Sequence, residues 1–216
     1  MRAISKGREP ASLAEHRCTP GADYDSYRDK EGLRTCLVTE QRGLCCYCLS
    51  RIRAKRGGMK IEHWHSRANH PSEQLDYGNL LASCTGNEGD QPRNQHCDTR
   101  KGDRDLSRNP GNPLHRIEDF VQFGSDGRIR SNDPSLDAEI NGVLNLNLSR
   151  LVRNRRAALD ALLEQMPKLR PWAPVTLEKH LRIWNGESNA GELEPFCQAV
   201  VFWLRKKLAR CSRGSL

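Results

Sequence analysis

No run of apolar residues in this 216-residue sequence approaches the length needed to cross a bilayer. Its first residues lack the apolar h-region of a signal peptide, and no internal repeat or low-complexity tract occurs. These absences set the expectation of a cytoplasmic protein. No phosphate-binding Walker motif is present either, so any use of ATP has to belong to a partner. Hydrophobic residues make up only 36% of the chain and charged ones 29%, which fits a folded protein with a modest core. The length allows one large domain or two small ones.

Cysteine, by contrast, is plentiful: nine, an odd number, clustered rather than evenly spread. Without secretory context that pattern argues against a disulfide framework and for metal. Cys18, Cys36, Cys197 and Cys211 stand apart and read as ordinary small apolar residues. The formal net charge of +8 is uneven too. Arg51, Arg53, Lys55, Arg56 and Lys60 form one acid-free run, and Arg205, Lys206, Lys207, Arg210 and Arg213 another. Such clusters attract phosphate backbones, although either alone also suits a solvated surface.

Residues 1–20, with Pro10 and Pro20, read as a poorly ordered arm with a short helix near 12–17. A helical pattern over 24–42, carrying Leu33, Cys36 and Leu37, ends at Gly43. A basic, hairpin-like segment turning at Gly57-Gly58 leads into a candidate strand over 59–64. A polar loop with Pro71 follows, and 75–83 is a short helical or extended piece. The stretch 85–95 is a loop, and a helix begins near Asp98. Gly124-Ser125-Asp126-Gly127 between apolar runs signals a hairpin. From Asp133-Pro134, a cap followed by proline, the character turns helical. Leu148, Leu151, Val152, Leu159, Leu162 and Met166 stripe a long helix; Thr176 can cap a second, and Pro195 opens a third. The expected organisation is an arm and helix over 1–42, a central domain over 43–132 and a helical module over 133–216.

The chemistry concentrates between Cys45 and Asp103. Structural zinc takes four cysteine or histidine ligands in a tetrahedron. Cys45 and Cys48 supply one pair, Cys84 and Cys97 the other, with twelve residues between the last two. That gap leaves His96 and Cys46 as rival ligands. So polar and loop-rich a segment needs such a staple. Glu62-His63 joins a carboxylate, which can hold a divalent cation on a phosphate, to an imidazole that is mostly neutral at pH 7 and can take a proton from water. Successive strand residues face opposite sides, so the two share a site only where the strand bends or ends. His65 and His70 follow in the loop.

Cys-x-x-Cys, Glu-His, Asn-Leu, and then Cys and Cys-Asp-x-x-Lys-Gly together resemble the HNH endonucleases, whose core is a ββα-metal finger. The resemblance implies His63 as general base, Glu62 and Asp98 as ligands of catalytic Mg²⁺ or Mn²⁺, and Asn79 as support for the active-site loop and histidine. It also implies Lys101 near the helix start, in contact with DNA phosphate, beside Arg100. The order Cys-x-Tyr-Cys, Ile-Glu-His, Leu-Asp-Tyr-Gly-Asn-Leu-Leu-x-Ser-Cys and His-Cys-Asp-x-x-Lys-Gly is similar to the HNH subunit of Septu-type and retron-associated anti-phage systems. That group implies a partner ATPase. The expected fold is therefore α+β: a small zinc-stapled ββα-metal finger embedded in a mainly α-helical chain with a helical C-terminal module. The expected function is hydrolysis of DNA phosphodiester bonds. The alternative is a non-catalytic zinc module that binds nucleic acid or protein, and a third reading makes His63, Cys84 and Cys97 parts of a hydrolytic zinc site.

Overall fold

The computed structural model describes residues 1–168, 171–188 and 190–213, without the side chain of Arg213 from the second basic run. Among these residues the chain is α+β, with eight α-helices and two antiparallel two-stranded sheets. None of the helices is long and apolar enough to cross a membrane.

α1 (Ala11–Arg17) buries Leu13. α2 (Lys30–Glu40) starts later than its apolar periodicity suggests, because Asp29 caps it by accepting the Gly32 N–H at 2.9 Å. Before that, Asp23 and Ser26 tie residues 23–26 into a turn. The first residues are not the loose arm expected. Met1 is buried, the Arg2 guanidinium donates to Gln198 and to the Asn185 carbonyl, and the Ile4 N–H donates to the Pro110 carbonyl.

β1 (Lys60–His63) pairs antiparallel with β2 (Leu80–Ser83), Glu62 opposite Leu81 and His63 opposite Leu80. The link between them holds two 3₁₀ turns, Pro71–Glu73 and Tyr77–Asn79. α3 (Cys97–Lys101) follows a loop, and α4 (Ile117–Phe120) leads into the expected hairpin of β3 (Val121–Phe123) and β4 (Ile129–Ser131). α5 (Pro134–Ala138) is capped by Asp133, whose carboxylate accepts from Ser135 and Leu136. After a π-turn come α6 (Ser149–Gln165), α7 (Pro174–Trp184) and α8 (Cys197–Arg213). Thr176 does not cap α7: the helix starts at Pro174, whose ring already fixes the first helical φ.

Two cores hold these elements, and neither respects a division at residue 133. Leu136, Ile140, Leu144 and Leu151 pack in the same core as Cys45, Leu80 and Leu81. Leu44 and Leu49 join the second core, made by α6, α7 and α8. A buried arginine bonds the hairpin to α6: Arg155 donates to the Gly127 and Leu146 carbonyls, each at 2.6 Å. Gly127 has φ +86°, and a Cβ there would overlap the Val152 carbonyl oxygen. Gly127→Ala is therefore expected to cost about 2–4 kcal/mol, from the left-handed backbone plus overpacking. A urea midpoint unchanged from wild type would refute that packing.

Candidate functional site

Cys45, Cys48 and the residues between them form a knuckle closed by backbone bonds from Cys45 N–H to the Ser50 carbonyl and from Leu49 N–H to the Cys45 carbonyl. Leu49 supplies the reversal with φ +65°. Buried Gln41 clamps this knuckle to β2. Its amide donates to the Leu44 and Ala82 carbonyls and accepts from the Ala82 N–H, each at 2.7 Å.

The clamp brings four sulfurs together. Those of Cys45, Cys48, Cys84 and Cys97 lie within 4.8 Å of one another, all buried. Cys45–Cys97 and Cys48–Cys84 are each separated by 3.8 Å. A tetrahedron with zinc–sulfur bonds of about 2.3 Å has edges of about 3.8 Å, so the four cysteines could hold a zinc ion. Burial alone would raise the Cys45 thiol, but hydrogen bonds from Cys46, Cys48, Cys84 and Cys97 outweigh it and hold it well below the ordinary range. The rival His96 stands just outside the cluster. Arg150 donates to its Nε2 at 3.1 Å, which leaves Nδ1–H to donate to the Cys97 sulfur at 3.2 Å. Cys46, the other rival, is not among the converging sulfurs.

Beside this cluster is an open cleft of about 570 Å³ whose lining includes Glu62, His63, Asp98, Lys60, Arg67 and Lys101. Glu62 and His63 both reach it because β1 ends at His63. Glu62 is almost wholly buried. Its Oε1 accepts from the Tyr47 hydroxyl at 2.7 Å and pairs with Lys101 Nζ at 3.0 Å. Burial first, and the neighbouring Asp98 charge second, push its carboxyl well above the usual range. Burial acts the same way on Asp98, but a hydrogen bond from Glu62 and then Lys60, at 3.2 Å, bring it below its ordinary value. The two neighbouring carboxyls thus differ in how readily they ionise, and paired oxygen donors of this kind suit a hard divalent cation.

His63 donates from Nε2 to the Gln74 carbonyl at 3.0 Å. A carbonyl only accepts, so Nδ1 is left as the basic nitrogen. Burial lowers the imidazole pKa to about 4, against the opposing effect of that hydrogen bond. His63 is neutral at pH 7. Asn79 lies behind the cleft: its side chain accepts from the His65 N–H at 2.7 Å and donates to the His65 and Glu73 carbonyls. It pins the loop that carries Gln74.

Lys101 departs from expectation. It ends α3 rather than starting it, and its ammonium is buried, donating to the His63 carbonyl and held by Glu62. A buried carboxylate demands a counter-charge, and removing either partner costs about 3–5 kcal/mol in such pairs. Arg100 donates to the Pro92 carbonyl. The first basic run is partly committed as well, since Arg51 and Arg53 both pair with Glu192. Tyr47, Gln41 and the Gln74 carbonyl went unassigned in the sequence. Only Tyr47 carried a local signal, its place between two cysteines.

No protein-family model matches this chain, and no curated protein matches it. Elemental analysis with X-ray absorption checks the sulfur site. Cys97→Ser should lose the sulfur-bound zinc and Cys46→Ser should keep it. His96→Ala should keep it with affinity weakened about 10–100-fold. Retention in Cys97→Ser together with loss in Cys46→Ser would reverse the assignment.

Proposed function

We propose that this chain is a metal-dependent nuclease of the HNH type, hydrolysing DNA phosphodiester bonds. The observation that carries the reading is the cleft itself: two converging carboxyls and a neutral, oriented imidazole, beside Lys60 and Arg67. The antiparallel pair β1–β2 followed by α3, stapled beneath by four cysteines, supports a ββα-metal arrangement.

Glu62 and Asp98 fit a hard divalent cation, since oxygen donors suit Mg²⁺ or Mn²⁺. Such an ion, when bound, supplies charge compensation to a phosphodiester and its leaving oxygen. The protein's own part is positional and acid–base. His63 takes a proton from the attacking water on Nδ1, while Gln74 fixes the tautomer. Lys101 and Tyr47 hold the Glu62 carboxyl in place. Lys60 and Arg67 present positive charge to a phosphate backbone at the cleft. The zinc we assign to the cysteines is structural and takes no part in the chemistry.

The resemblance supplies a partner for this reading, an ATPase subunit of a Septu-type anti-phage complex. The lack of a Walker motif here agrees with placing ATP use elsewhere. His63→Ala is expected to lower Mg²⁺-dependent plasmid nicking about 10²–10⁴-fold with zinc content and circular dichroism unchanged. EDTA should stop the wild type. Undiminished nicking by the variant would reject the assignment.

A further inference from the structure

Two histidines that nuclease chemistry leaves unused stand in the loop between β1 and β2. His65 sits at its start, and His70 precedes the 3₁₀ turn Pro71–Glu73. The bond from Glu73 N–H to the His70 carbonyl closes that turn. The turn then folds back on His65, whose Nδ1 is 2.7 Å from Glu73 Oε2. The His65 and His70 rings stack with centroids 4.2 Å apart. One ligand atom from each of His65, His70 and Glu73 lies within 4.8 Å of the others.

A hydrogen bond between His65 and Glu73 accounts for two members of this group but not for the third donor drawn in beside them. Two further features are those of a built site. Asn79 pins both flanks, through the His65 N–H and carbonyl and through the Glu73 carbonyl. His70 Nε2 lies 3.3 Å from Asp105. A carboxylate that takes the N–H of one ring nitrogen frees the other nitrogen to bind a cation.

We propose that His65, His70 and Glu73 form a second metal site, separate from the four cysteines and from the Glu62–Asp98 cleft. Two imidazoles and one carboxylate select a borderline cation such as Zn²⁺ or Ni²⁺ over Mg²⁺, which prefers all-oxygen shells. Three protein ligands leave a position for water. Donor separations around tetrahedral zinc are about 3.3–3.6 Å for bonds of about 2.0–2.2 Å, so the His65–Glu73 pair at 2.7 Å opens slightly while His70, within 4.8 Å, draws in around the ion. Gln74, the residue after Glu73, carries the carbonyl that orients His63. The ion clamps the loop that sets the His63 tautomer.

The test is zinc content after equilibration of the full chain with Zn²⁺, read with the ligand shell from zinc-edge X-ray absorption. Wild type should carry an ion bound by nitrogen and oxygen besides the sulfur-bound one. His70→Ala and Glu73→Gln should each lose that ion, or bind it at least about tenfold more weakly, with sulfur-bound zinc and circular dichroism unchanged. An ion held only by nitrogen and oxygen, with no sulfur-bound zinc, would support this site and remove the four-cysteine one. Sulfur-bound zinc alone in the wild type would overturn the proposal, as would uptake that both variants leave unaltered.

Discussion

Four sulfurs from separate stretches of the chain meet in one buried place, and the central part of the molecule hangs on that meeting. Cys48 and Cys84 are 36 residues apart, and Cys45 and Cys97 are 52 apart, so a zinc ion on the four sulfurs would close long loops. β1 and β2 are only four residues each. Such a pair is marginal alone. With the knuckle fastened to β2 through Gln41 and α3 fastened through Cys97, the hairpin becomes a fixed floor for the cleft. His96 and Arg150 extend this anchorage to the helical part by a hydrogen-bonded chain ending on a thiol.

A second constraint follows from burial. Glu62 is 1% exposed, and an isolated carboxylate there would be prohibitively expensive. Tyr47, Lys101 and Asp98 all answer to that single group. Tyr47 remains a donor because burial and the Glu62 charge hold its hydroxyl well above its ordinary pKa.

Much of this was legible in the sequence. The pair Cys45 and Cys48, the strand carrying Glu62-His63 and the turn at Gly124–Gly127 are local signals, fixed by side-chain type and short spacing. Asp133-Pro134 marked a helix start for the same reason, and Asp133 caps α5. What escaped was non-local. Cys97 was separated from its rivals His96 and Cys46 only when the loop after β2 was seen to swing it into the cluster. The resemblance to HNH endonucleases set Lys101 against a DNA phosphate; its burial follows from a partner 39 positions earlier, Glu62. The first residues, polar and interrupted by Pro10 and Pro20, gave no sign that Met1 would be buried or that Arg2 would bond to Gln198 and the Asn185 carbonyl. The contacts of Leu136, Ile140, Leu144 and Leu151 with the central core are likewise non-local.

On the proposed function, sulfur and oxygen donors in one small fold would hold different metals for different purposes. Crystals grown with Mn²⁺ and a short DNA duplex, measured at the manganese and zinc edges, address it most directly. The expected result is manganese at the Glu62 and Asp98 carboxylates, against a DNA phosphate, and zinc among the sulfurs of Cys45, Cys48, Cys84 and Cys97. No manganese at these carboxyls at saturating Mn²⁺ would contradict it.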